Sequence, residues 1–153
     1  ITPMRISVAA DHNGFELKNE ILAILKKSGH DVIDIGPHFL DPLDDYPDYA
    51  KPLAESVSSG KTDRGIMVCG SGVGASVAAN KVKGVRAAVC HDIYSAHQGV
   101  EHDDMNVLCL GSRIVGAEVV RELVSAFISA VYTNEERHAR RLNKVIEMEN
   151  DFK

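Results

Sequence analysis

Five short apolar runs, each followed by a segment with helical spacing, limit what this chain can fold into more than any other feature. They occupy residues 5–10 (RISVAA), 31–35 (DVIDI), 65–69 (GIMVC), 86–90 (RAAVC) and 106–110 (NVLCL). A strand covered on both faces loses the apolar–polar alternation of a half-exposed sheet, because neither face meets water. After the first run, Leu17, Ile21, Ile24 and Leu25 fall on one helical face, and Ser28-Gly29 supplies a helix stop. Strands joined through helices run parallel, and right-handed crossovers put helices on both faces of the sheet. The expected architecture is therefore α/β: a three-layer, doubly wound, Rossmann-like sandwich around a five-stranded parallel sheet. A length of 153 residues fits one such domain, spanning residues 1–153.

Residues 38–49 (HFLDPLDDYPDY) break the pattern with a run of Asp and Pro, which predicts a long loop of the kind that carries function. A helix through Leu53 and Val57 follows it. A last helix is expected over 135–149, with Leu142, Val145 and Ile146 on one side and Arg137, Arg141 and Lys144 on another. Ile1, Thr2 and Pro3, ahead of Met4, are expected to be a remnant of cloning.

Composition narrows the partners. With 44% hydrophobic and 25% charged residues the chain reads as a soluble globular protein, neither disordered nor fibrous. Seventeen Lys and Arg against 22 Asp and Glu leave a formal charge of -5, which disfavours a nucleic-acid partner everywhere except near the basic C-terminus. There is no membrane-length apolar run and no secretory signal, so a cytoplasmic protein without a membrane partner is expected. The three cysteines, Cys69, Cys90 and Cys109, contain no C-x-x-C pair, so free thiols are expected rather than disulfides or a zinc ribbon.

In open α/β sheets ligands bind beyond the carboxyl ends of the strands. There stand Asp11-His12-Asn13-Gly14, Cys69-Gly70-Ser71-Gly72-Val73-Gly74, His91-Asp92 and Gly111-Ser112-Arg113, all expected on one rim. Three glycines between a strand and a helix leave backbone N–H groups free to face an anion or a developing oxyanion. The same loop could equally be a tight turn selected for close packing. Cys69, beside those amides and a helix N-terminus, is placed to act as a base or nucleophile; as a strand-end thiol like Cys90 and Cys109 it could also be core filling. His102, in the polar segment Glu101-His102-Asp103-Asp104, is a candidate for proton exchange.

Arg113, Arg137 and Arg141 could grip a phosphate, with the bland alternative that the helical arginines pair with Glu135, Glu136 or Glu147 on a solvated face. Two rival readings come from the same residues. Gly70, Gly72 and Ala75 fit a G-x-G-x-x-A turn, with Asp92 after the next strand, which allows a non-catalytic nucleotide-binding module. His91, Asp92, His97, His102 and Asp103 are metal-binding types, but no specific ligand spacing supports a metal site.

Taken together, Asp11-His12, Asp45-Tyr46-Pro47, the run CGSGVGASVAANK over 69–81, GVRAAVC over 84–90, Asn106-Val107-Leu108, Gly111-Ser112-Arg113 and RHARR over 137–141 resemble the ribose-5-phosphate isomerase type B family, which includes the galactose-6-phosphate isomerase subunits. The match runs nearly end to end. It implies a metal-free, cofactor-free interconversion of ribose 5-phosphate and ribulose 5-phosphate through an enediolate. It also implies active sites shared across a homodimer, with pairing of dimers into tetramers left open.

By the resemblance, Cys69 is the base, Gly70, Ser71, Gly72, Val73 and Gly74 form the amide cradle, with Ser71 where threonine is frequent, and His102 is the ring-opening acid/base. Asp11, His12 and Tyr46 bind substrate, and Arg113, Arg137, His138 and Arg141 take the phosphate. Asp103 stands where the family usually has a hydroxyl-binding asparagine. An ionised carboxylate only accepts hydrogen bonds, so this departure opens a different sugar phosphate as an alternative, such as galactose 6-phosphate or allose 6-phosphate.

Overall fold

The computed structural model describes residues 2–152; Ile1, within the stretch assigned to cloning, and Lys153 lie outside the described residues. Five parallel strands, β1 (Arg5–Ala10), β2 (Asp31–Gly36), β3 (Arg64–Cys69), β4 (Ala87–Val89) and β5 (Val107–Gly111), form one sheet in the order β2-β1-β3-β5-β4. The helices between and after them are α1 (Phe15–Lys27), α2 (Pro47–Ser58), α3 (Val73–Ala79), α4 (Ile93–Asp103), α5 (Ala117–Ser129) and α6 (Glu136–Phe152).

The strand residues explain the layering. On one face of the sheet Ile6, Val8, Ile66, Val68, Leu108 and Leu110 pack beneath α1, α4 and α5. On the other, Ala9, Met67, Val107 and Cys109 meet Leu53, Val57, Ala75 and Ala79 of α2 and α3. Alternate residues of one strand thus feed two cores, which is why the strands read as continuous apolar runs. The expected doubly wound α/β sandwich is the fold observed.

Strands β2, β3 and β5 lie within one residue of expectation, α6 runs from Glu136 to Phe152 rather than over 135–149, and three further shifts have a local cause. β4 spans three residues rather than five, because side-chain bonds take the place of ladder bonds at its start. The Arg86 N–H goes instead to Asn106 Oδ1 at 2.7 Å, and Asn80 brackets Ala87 through bonds of 2.8 and 2.9 Å. Helix α2 begins inside the expected loop, at Pro47, because a first-turn proline lacks only an N–H that would have no helical partner. Helix α3 begins at Val73, inside the glycine run expected to precede it, since Gly72 adopts the left-handed conformation (φ 82°) that turns the strand directly into the helix.

The strand order also locates a crevice. From β1 the chain moves outward to β2 and then crosses back to the other side of β1 for β3, so connections leave β1 and β3 in opposite directions. That switch point is where open α/β sheets bind ligands. Among the described residues no helix is long and apolar enough to cross a membrane.

Candidate active site

At the switch point the carboxyl ends of β1, β3 and β5 are stitched together by backbone bonds. Asp11 N–H donates to Val68 O at 3.2 Å, Ser112 N–H to Cys69 O at 2.8 Å and Arg113 N–H to Gly70 O at 3.1 Å. A cavity of about 370 Å³ opens there, lined by Asp11, Asn13, Tyr46, Cys69, Gly70, Ser71, Gly74, Arg113 and Ile114. Cys69 lies at its floor, 5% exposed, and the Gly72 N–H donates to its Sγ at 3.1 Å.

The other two cysteines separate from it clearly. Burial pushes the Cys90 thiol up to about 11, and Cys109, wholly buried in the second core, is pushed higher still. Both are core thiols; neither receives an amide N–H from a described residue or lines this cavity. All three stand at strand ends in sequence, but only Cys69 carries the glycine loop that singled it out.

The glycines serve two purposes. A Cβ on Gly72 would lie 3.0 Å from the Leu110 carbonyl carbon in a left-handed backbone, so this position is set by chain path and packing. A Cβ on Gly74 would lie 2.7 Å from the Tyr46 ring, so here glycine admits the cavity wall itself. Tyr46 caps the start of α2 and stands 37% exposed. Ser71 is exposed, with Oγ accepting from the Val73 N–H at 3.2 Å.

Asp11 is buried (4% exposed), and its Oδ1 accepts from the N–H groups of Asn13 and Gly14 at 2.9 and 3.3 Å. Burial is the main reason its carboxyl rises above the ordinary value, against these two donors. Its neighbour His12 places Nδ1 2.7 Å from Asp44 Oδ1, and that hydrogen bond raises the imidazole above its ordinary value. Asn13, expected on the rim, is found there, its Oδ1 accepting from Arg113 Nη2 at 3.2 Å, and Asp44, which the sequence did not single out within its acidic loop, joins the region through His12.

The remaining candidates lie elsewhere. Helix α4 starts beyond the carboxyl end of β4 and returns the chain to the amino edge of the sheet, where β5 begins; His102 is at its far end. Gln98 Nε2 donates to His102 Nδ1 at 2.8 Å, and the ring stacks on His138 of α6 with centroids 4.0 Å apart. His138 is 3% exposed, held by Thr133 Oγ1 at 2.7 Å; burial foremost, then the charges of His102 and Arg137, push it below the ordinary value.

Asp103 and Arg141 share a groove with Leu142, Val145 and Met148 of α6 and with Val85. Within this chain Arg137 pairs with Glu135 at 2.8 Å and Arg140 with Glu136 at 2.8 Å. One chain therefore does not gather Cys69, His102 and the four phosphate candidates on one rim. It places Cys69 and Arg113 at the carboxyl edge and His102, Asp103, Arg137, His138 and Arg141 at the amino edge.

The residues of the rival metal picture are engaged separately. His91 Nε2 accepts the Gly111 N–H at 2.9 Å, Asp92 caps α4 through Ser95 N–H at 2.7 Å, and His97 pairs with Glu101 at 2.6 Å. No group of three or more His, Cys, Asp or Glu among the described residues is arranged to hold a metal ion.

A doubly wound sheet with a thiol and a row of amides at its switch point defines an enzyme of the aldose–ketose isomerase class once its relatives are set beside it. The family model described as Ribose/Galactose Isomerase matches residues 6–145, and the chain belongs to that family. It is 44% identical over 145 residues to ribose-5-phosphate isomerase B of Escherichia coli (strain K12), covering 95% of this chain and 96% of the relative. The structure of ribose-5-phosphate isomerase B from Clostridium thermocellum superposes with a TM-score of 0.94 at 45% identity, over 98% of this chain and 100% of that one. That of Mycoplasma genitalium, solved with bound ribulose-5-phosphate, gives 0.92 at 42% identity over 96% and 97%. Membership in a family of enzymes displaces the non-catalytic nucleotide module.

Proposed function

We propose that the chain interconverts ribose 5-phosphate and ribulose 5-phosphate through an enediolate, in a site that two copies of the chain build together. The observation that carries this reading is the switch-point cavity, in which Cys69 Sγ lies beside the amides of the glycine loop. As base, Cys69 takes the proton from C2 of the open-chain aldose; the electron pair forms the C1–C2 double bond and the aldehyde oxygen becomes an oxyanion. The loop N–H groups and Arg113 offset that charge. Return of that proton to C1, with transfer of the O2 proton to O1, gives the ketose, with no net change of protons or electrons. Nothing in this sequence requires a metal or a cofactor.

Ring opening needs a second proton carrier near the sugar, which is the role of His102, and the phosphate needs cations, the role of Arg137, His138 and Arg141. Their place at the amino edge supports supply from a second copy, docked with its α6 against this rim. Apolar side chains left outside both cores support such docking: Val73 and Val77 on α3 are 57% and 55% exposed, and Val145 and Met148 on α6 are 51% and 61% exposed. Asp103, beside Arg141 in the same groove, favours a second reading in which a different sugar phosphate is turned over faster.

The test is conversion of ribose 5-phosphate by chelator-treated protein, with galactose 6-phosphate and allose 6-phosphate run alongside. Activity on ribose 5-phosphate that falls ~10²–10⁴-fold in kcat in Cys69→Ala is the expected result. Full activity in that variant removes the thiol base, and faster turnover of a six-carbon substrate moves the assignment to Asp103.

A further inference from the structure

The segment between β2 and α2 carries a carboxylate that no strand or helix explains. Asp44 has its side chain 5% exposed, yet it sits 32 residues from the group it touches. Its Oδ1 accepts twice from one residue: the His12 backbone N–H at 2.9 Å and the His12 ring through Nδ1 at 2.7 Å. Its Oδ2 is buried and receives no hydrogen bond from any described residue. A carboxylate buried with so few donors needs a cation beside it, and His12 is the group in contact.

The segment is anchored so that this contact persists. Lys18, fully buried, donates from Nζ to Asp34 at 2.8 and 3.0 Å and to the Pro37 carbonyl at 2.7 Å, which ties the start of the segment to α1. Further along, Asp41 accepts from the Leu43 N–H at 3.0 Å and from the Asp44 N–H at 3.3 Å. With Nδ1 committed to Asp44, the His12 ring keeps one orientation and has Nε2 left for another partner. The charged groups facing it are Asp44 and Asp11, which favour its cationic form, and Arg113, which opposes it.

We infer that Asp44 is a positioning residue for His12: it locks the ring and holds it as a cation at the mouth of the pocket, where His12 and Arg113 together receive the anionic end of the substrate. The inference rests on the sugar-phosphate reading above for what is bound, and on the Asp44–His12 contact for how. A cation sustained by a carboxylate is present below its raised titration point and lost as pH rises through it. Removing the carboxylate returns that loss toward the ordinary imidazole value of 6.5.

Asp44→Asn keeps an oxygen for the His12 N–H and removes the charge. Its KM for the sugar phosphate should rise about tenfold at neutral pH with kcat within about threefold, and the loss of affinity with rising pH should begin at lower pH than in the unaltered protein. The His12 imidazole signals, followed by NMR without substrate, should titrate at correspondingly lower pH. A contact that only braces the segment would change melting temperature and leave both pH profiles in place, which overturns the inference. For a variant that fails to fold, inorganic sulfate binding to the unaltered protein is followed against pH: weakening in step with His12 titration supports the inference, and weakening at any other pH overturns it. If no sugar phosphate is turned over, the functional reading fails by itself, while the NMR titration still decides whether Asp44 holds His12 charged.

Discussion

The two edges of the sheet are built differently. At the carboxyl edge Cys69, Asp11 and the glycine loop are held by backbone bonds between β1, β3 and β5, and the groups that face the cavity are fixed within one chain. At the amino edge α6 is held by the buried His138, stacked on His102 and bonded to Thr133, and by Glu149, which accepts the Gly84 N–H at 3.0 Å. Most of its remaining surface, including Val145, Met148 and the 86% exposed Phe152, is open. A site fixed inside one core needs no partner, whereas an amphipathic helix with an uncovered apolar side does. The contrast teaches that the rim is preorganised within one chain, whereas α6 keeps an uncovered apolar side, on which the proposed docking of a second copy rests.

The largest effect should come from separating the two edges genetically. Cys69→Ala and His102→Ala proteins should each lose ~10²–10⁴-fold in kcat alone. Mixed and allowed to exchange subunits, they should regain about a quarter of full activity, because half of the dimers then hold one intact site. Steady-state turnover before and after mixing checks this, and no recovery despite demonstrated exchange would place both groups in one chain's site.

A smaller effect tests the rim alone. Gly74→Ala sets a methyl 2.7 Å from the Tyr46 ring, so the ring or the loop must shift. Overpacking of this kind costs about 1–3 kcal/mol, which denaturant titration would read, and turnover should fall with it. Recovery in Gly74→Ala/Tyr46→Ala would tie the loss to that contact; an undisturbed Gly74→Ala would show the wall to be loose.

The smallest effect is in pH, and the edges should respond in opposite senses. His138 is held below its ordinary value, so as pH falls through 6.5 the unfolded chain takes a proton the folded one resists, and α6 docking weakens on the acid side. His12 is held above its ordinary value, so its contribution is full at acid pH and fades as pH rises through the raised value. Melting temperature against pH for His138→Gln and Asp44→Asn should flatten the acid and alkaline sides respectively; a single variant that flattened both would join the two regions.

Much of this was legible before any coordinates. Strand runs, helical faces and glycine stops are local patterns, and backbone sterics and burial turn them into elements almost unaided. The rim was legible as well, since strand ends in a doubly wound sheet converge on one side and Cys69, Asp11 and Arg113 all follow strands. Three things were not. The glycine loop singled out Cys69, but that Cys90 and Cys109 are buried core thiols follows only from their surroundings. Asp44 looks like one more aspartate in an acidic loop, and its contact with His12 spans 32 residues. His102 lies next to a strand in sequence, but at that strand's beginning rather than its end, so α4 carries it away from the cavity.

By itself the sequence determined the layers, the parallel sheet and the identity of the reactive side chains, because those follow from short-range periodicity and from the carboxyl-end rule. Tertiary structure alone decided which of those side chains share a cavity, that the other two thiols stay in the cores, and which carboxylate contacts its histidine. Such choices depend on distances between segments far apart in the chain, and those distances exist only once both cores have packed.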